Sequence, residues 1–198
     1  MKINYSIFPA LLLLAGCATQ SVPAASVYTL SAPQQDIAET ANKEQQAVLK
    51  LAPVNAARVY HSTDLLYSDA SHARNSYAYS RWSDAPVVLL QTFLQDELER
   101  SGQFAAVLPP VSSAKAELLL ESTLFDFSQH IDTDGSAAGV IRMRFYLVDN
   151  ATRKVIKTGQ FVASVPAATK DAQGAVTALN KAAAIISRDL VQWLAAGN

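Results

Sequence analysis

The chain contains a single cysteine, Cys17, and only seven glycines and three histidines. One thiol cannot form an intrachain disulfide, so the fold must rest on its core. The scarcity of glycine goes with the absence of a phosphate-cradling loop, a dinucleotide fingerprint and a Gly-x-Ser-x-Gly elbow. His61, His72 and His130 are scattered, with no pair at ligand spacing, and zinc needs three or four convergent nitrogen or sulfur ligands. They read as neutral or surface histidines. Asp132-Thr133-Asp134-Gly135 begins like a calcium loop, but the bidentate glutamate that closes one does not follow, so it reads as a turn. Asn150-Ala151-Thr152, which matches a glycosylation acceptor by letter, also reads as a turn. The chain has 16 basic and 17 acidic residues, with no basic stripe to engage a phosphate backbone. Neither an enzyme nor a nucleic-acid binder is expected, and no metal or cofactor is implied.

What is present begins at the N-terminus. Lys2 precedes an apolar stretch ending in Leu14-Ala15-Gly16-Cys17, too short to span a bilayer as a helix. This run resembles a bacterial lipobox. It implies cleavage between Gly16 and Cys17, lipidation of the Cys17 thiol, and a covalent lipid as the only attached group. Residues 1–16 are then a signal peptide, and the mature chain of 182 residues carries a net charge of −2. Such a length suits one domain of ordinary size, or at most two small ones, and can bury about 70% of its unfolded surface. The tether of residues 17–26 is small and polar, and the nine residues from Ala18 to Ser26 span at most about 30 Å. Two or three acyl chains hold such a domain to a membrane firmly. Ala18 follows the cysteine where inner-membrane lipoproteins usually carry aspartate, which favours the outer membrane.

Residues 27–198 read as a single α+β domain. Val27–Leu30 and Val48–Val54 read as strands, Gln34–Gln46 as a loop or short helix, and Asn55–Ser76 as largely irregular. A helix is predicted from about Asp84 to Ser101. Ser83 or Asp84 would cap it, Pro86 falls in its first turn and Gly102 closes it, and Trp82 can staple onto Val87 if Ser83 is the cap. A second helix runs from about Asp171 or Gln173 to Ala195, with Val176, Leu179, Ala183, Ile186, Leu190 and Trp193 on one stripe. Between them a meander is predicted: Phe104–Leu108, Ala116–Phe127, Val140–Val148 and Val155–Val165. Leu118, Leu120 and Leu124 share one face of the second strand. Ile141, Met143, Phe145 and Leu147 point inward from the third, and Arg142, Arg144 and Tyr146 outward. The result is a two-layer sandwich: a mainly antiparallel sheet with two main helices packed on one face.

One constellation could meet a partner. Tyr77, Tyr79 and Arg81 fall on one face of a strand with Trp82 opposite, and amphipathic aromatics and arginine are enriched at interfaces. Packing against the following helix is the competing role, above all for Trp82. The outward Arg142, Arg144 and Tyr146 form a second candidate face.

The order of these features is informative: a lipobox cysteine, Val27-Tyr28-Thr29-Leu30, Leu49-Lys50-Leu51-Ala52-Pro53-Val54, Leu65-Leu66-Tyr67-Ser68, Tyr79-Ser80-Arg81-Trp82-Ser83-Asp84-Ala85-Pro86 and Ser101-Gly102-Gln103-Phe104. It resembles the ABC-type transport auxiliary lipoproteins, the family of the paraquat-inducible operon's lipoprotein. The resemblance covers nearly the whole mature chain, least well between Asn55 and Ser76. It implies a non-catalytic outer-membrane lipoprotein that works with an MCE-domain protein and an inner-membrane transporter or permease. Such systems move phospholipid or other hydrophobic molecules between the two membranes. An activator or assembly factor for a cell-wall synthase or surface-glycolipid machinery is the alternative. The short tether argues against it, because activators that reach through the wall carry long linkers.

Overall fold

The computed structural model describes residues 24–31, 47–69, 71 and 73–196. Cys17, most of the tether and the Gln34–Gln46 segment lie outside the described residues. Within them the chain forms a nine-stranded mixed sheet and two long helices lying against it. No helix among the described residues is long and apolar enough to cross a membrane.

Strand β7 (Leu118–Ile131) is the spine. Along one side it pairs antiparallel with β8 (Ala137–Asp149), and β9 (Val155–Pro166) completes the meander. Along the other side β2 (Val48–Leu51), β3 (Asn55–Ala56) and β4 (Asp64–Asp69) follow one another, all parallel to it. Outside them β6 (Ala106–Leu108) pairs with β2, and β5 (Arg74–Trp82) pairs antiparallel with β4. The three-residue β1 (Ser26–Tyr28) lies parallel to β5. The long ladders are antiparallel, as the sequence predicts, and the short N-terminal strands add the parallel pairs.

The stretch predicted to be irregular, Asn55–Ser76, holds β3, β4, the start of β5 and a turn of 3₁₀ helix, Arg58–His61. Its strands are two to six residues long up to Asp69, too short for alternation to declare itself. β3 draws its ladder bonds from β7, and β4 lies between β7 and its hairpin partner β5.

Helix α1 (Pro86–Arg100) buries Val87, Leu90, Phe93, Leu94 and Leu98. Pro86 takes the first turn, and Gly102 adopts φ 64° just past the end, a conformation that glycine reaches without Cβ strain. The cap differs from expectation: Ala85 occupies the N-cap without a side-chain bond, and Asp84 accepts instead from the Ala85 amide at 2.7 Å. Helix α2 (Ala172–Ala195) is capped by Asp171, whose carboxylate accepts from the Gly174 amide at 2.8 Å. Val176, Leu179, Ala183, Ile186 and Leu190 are buried against the inward residues of β8, Ile141, Met143, Phe145 and Leu147.

Strand β7 carries a bulge between Leu124 and Asp126. Before it Leu118, Leu120, Ser122 and Leu124 face the helices; after it Phe127 and Gln129 do. The extra residue moves every later side chain to the other face. Phe125 is turned outward and 39% exposed, while Asp126 and Ser128 end up beneath the 3₁₀ turn on the far side of the sheet.

Candidate functional site

Beneath the 3₁₀ turn the bulge gathers a polar cluster. The buried Asp126 carboxylate accepts from Ser128 Oγ at 2.7 Å and from His130 Nε2 at 2.8 Å, and Tyr60 Oη lies 3.4 Å away. Arg74 stands over the Tyr60 ring. Serine and histidine both turn to the carboxylate rather than to each other, so the trio ties the 3₁₀ turn to β7 and does not arm a nucleophile. Among the described residues no three His, Cys, Asp or Glu side chains converge as metal ligands. Contrary to the sequence reading, His130 is not an isolated histidine but half of a partly buried ion pair.

The pair makes a pH prediction. The hydrogen bond to Asp126 is the largest cause raising His130 above its ordinary 6.5, so its contribution to stability is full below that value and is lost as pH climbs through the raised one. For Asp126, burial pushes upward, but the bonds from His130 and Ser128 outweigh it and hold the group below 3.8. Its contribution is full above the ordinary carboxylate range and fades as pH falls below it. The stability gap between the native chain and His130→Gln is therefore expected to be widest at about pH 5–6 and to narrow by about pH 8–9, read by thermal melts across pH.

Strand β5 separates the four aromatic and cationic candidates. Trp82 is only 1% exposed and packs on Phe127, with ring centroids 5.3 Å apart. Tyr77 is half-buried. Its hydroxyl bonds Gln129 and lies 2.9 Å from the Lys170 carbonyl, and its ring meets Tyr67. Burial, then the nearby Asp171 and Tyr67, push its pKa up to about 12. Tyr77 thus pins the loop before α2 to the sheet, with Gln129 Nε2 donating to the Thr169 carbonyl at 2.9 Å. Only Tyr79, 53% exposed, and Arg81 stand at the surface.

The expected placement of Trp82 opposite Tyr77 does not occur, because the β4–β5 register shifts between Asp64 and Leu66. That irregularity sends Tyr77 and Trp82 to the same side of β7, towards Gln129 and Phe127, despite their odd spacing. Removing only the hydroxyl with Tyr77→Phe is expected to cost about 1–2 kcal/mol in urea unfolding while leaving surface contacts unchanged.

Among the described residues, the exposed pair borders a strand edge that is only partly paired. Strand β1 covers β5 only from Ser80 to Trp82, leaving Tyr79 beside the first residue of β1. Val27, opposite Arg81, is 53% exposed. The segment is fastened to the body by Asn180 of α2, whose Oδ1 accepts from the Ser31 amide at 2.8 Å, and by Ser83 N donating to the Tyr28 carbonyl at 2.6 Å. Val27, Tyr79 and Arg81 therefore form a firmly held amphipathic rim next to the point where the chain leads back to Cys17.

The model of the ABC-type transport auxiliary lipoprotein components matches residues 28–191. The chain superposes on a protein from Xanthomonas campestris with a TM-score of 0.76 at 19% identity, covering 86% of this chain and 94% of that one. An uncharacterized protein gives 0.67 at 15% identity, covering 87% and 99%. A hypothetical protein from Chlamydia trachomatis gives 0.53 at 13%, covering 75% and 95%. These likenesses concern the fold. No curated protein matches the chain.

Proposed function

The chain belongs to the family of ABC-type transport auxiliary lipoprotein components, and from that premise we propose that it serves an MCE-type system moving phospholipid or other hydrophobic molecules between two membranes. In this reading Cys17 carries the acyl anchor and holds the domain at the periplasmic face of the outer membrane. The tether is too short to cross the periplasm. The domain docks the far end of an MCE-domain protein whose own reach spans from an inner-membrane transporter or permease. Its part is to hold and position that partner, with no bond made or broken.

The observation that carries the docking site is the exposed Val27–Tyr79–Arg81 rim, set on a strand edge that β1 covers only in part. An aromatic with a polar tip beside a guanidinium is the composition of a binding hot spot, and a free strand edge can accept an added strand. Trp82 and Tyr77 support this rim from within rather than touching the partner. The double variant Tyr79→Ala, Arg81→Ala is expected to weaken co-purification of the MCE-domain protein by about tenfold or more, as loss of a hot spot does. Its melting temperature should stay within a degree or two of the parent, since both side chains lie outside the core. Undiminished co-purification would move the docking face elsewhere.

A further inference from the structure

We propose that the open face of the sheet around Phe125 binds the phosphate headgroup of an anionic phospholipid. The bulge in β7 leaves Phe125 outward and exposed. Two guanidiniums from β8 stand over its ring, Arg142 at 5.4 Å and Arg144 at 5.6 Å from the centroid. Both charges therefore lie within about 11 Å of each other, close to one screening length, and repel. Neither has a carboxylate within ion-pair distance among the described residues. Asp126, opposite Arg142 in register, turns to Ser128 and His130, and Glu121 pairs in register with Tyr146 without reaching Arg144. Gln160 fixes Arg144 through a 2.6 Å bond. Two arginines over one ring, with no carboxylate partner among the described residues, are arranged to share a single anion with several acceptor oxygens, and a phosphate accepts from both at once.

The surroundings choose the kind of phosphate. Val162, in register with Arg142, is 57% exposed, and with Phe125 it gives the cationic spot an apolar margin that suits the glycerol and first methylenes of a lipid. A peptide strand added to the edge of β9 that is unpaired among the described residues would lie two strand spacings, about 10 Å, from Arg142, whose guanidinium leans the other way over Phe125. Arginine with an exposed aromatic is also the composition of headgroup-level protein surfaces. The inference rests on the transport reading above and deepens it: the domain would touch the lipid itself.

The test uses the full lipidated chain with a photo-crosslinking side chain at Val162, held by its own anchor in phosphatidylcholine vesicles containing one-fifth phosphatidylglycerol. Phosphatidylglycerol adducts should form out of proportion to its share. They should fall about 30-fold in Arg142→Gln, Arg144→Gln, which is about 1 kcal/mol for each arginine. Adducts proportional to lipid composition, or unchanged in the double variant, would overturn the proposal. So would their abolition by inorganic phosphate with no lipid captured, which would mark a free-phosphate site. Failure here with the MCE-domain protein still captured at the Tyr79 rim would sink the lipid site alone; loss of that capture would sink the transport reading.

Discussion

Trp82→Ala is expected to lower the unfolding free energy by about 3–5 kcal/mol, the usual range for deleting a fully buried large aromatic. That is a third or more of the stability of an ordinary domain. Three features place it at the top of that range. The ring is the largest of the fully buried side chains and packs on Phe127, so its removal leaves a cavity between β5 and the spine. Its backbone is in register with Tyr28 and donates to the Thr63 carbonyl at 2.8 Å, so that cavity cannot close without disturbing the β1–β5 edge. The neighbours are strands, which collapse less readily than a helix end. The indole Nε1 has no hydrogen-bonding partner among the described residues, a cost the native fold bears. Trp82→Phe removes that polar group together with part of the volume, and should cost clearly less than alanine. Urea titrations of both variants check the order; equal losses would mean that the ring's volume contributes nothing.

Gly139→Val is expected to be nearly as damaging, by about 3 kcal/mol or more, for the opposite reason. A Cβ on Gly139 would stand 2.8 Å from Ala178 Cβ and 2.8 Å from the Leu179 amide nitrogen. Most overpacking costs about 1–3 kcal/mol because a side chain can turn aside. Here two of the three nearest obstructing atoms belong to the backbone of α2, which is held by the Asp171 cap at one end and by Ile186 and Leu190 in the core further on. The helix must lift from β8 as a body. Gly139→Ala should be milder but still measurable, and the valine variant should expose apolar surface to a hydrophobic dye before it unfolds.

How much of this was legible in the sequence depends on length and register. The alternation of Ile141, Met143, Phe145 and Leu147 against Arg142, Arg144 and Tyr146 runs without interruption, and the structure follows it residue for residue. The stripe of α2 and the Pro86 and Gly102 boundaries of α1 were equally readable, since caps and periodicity are local. Bulges are not. The one at Phe125 puts Phe127 in the core, buries Asp126 and Ser128 on the far face and creates the arginine–aromatic cluster, yet no residue type announces it. The irregularity between β4 and β5 similarly brings Tyr77 and Trp82 to one side, where a strict period of two sets them opposite. Short strands such as β3 depend on β7 for their pairing and carry no pattern of their own. Gly139 carries no local signal, because its importance lies in what α2 brings against it.

The central claim is that this lipoprotein docks a transport partner through its tether-side rim. A photo-crosslinking side chain in place of Tyr79, in the full chain expressed in cells, tests it most directly, with the captured protein identified by mass spectrometry. The account predicts an MCE-domain protein, captured from position 79 and not from the buried position 82. Capture of a cell-wall synthase or a glycolipid-assembly protein at position 79 would contradict it.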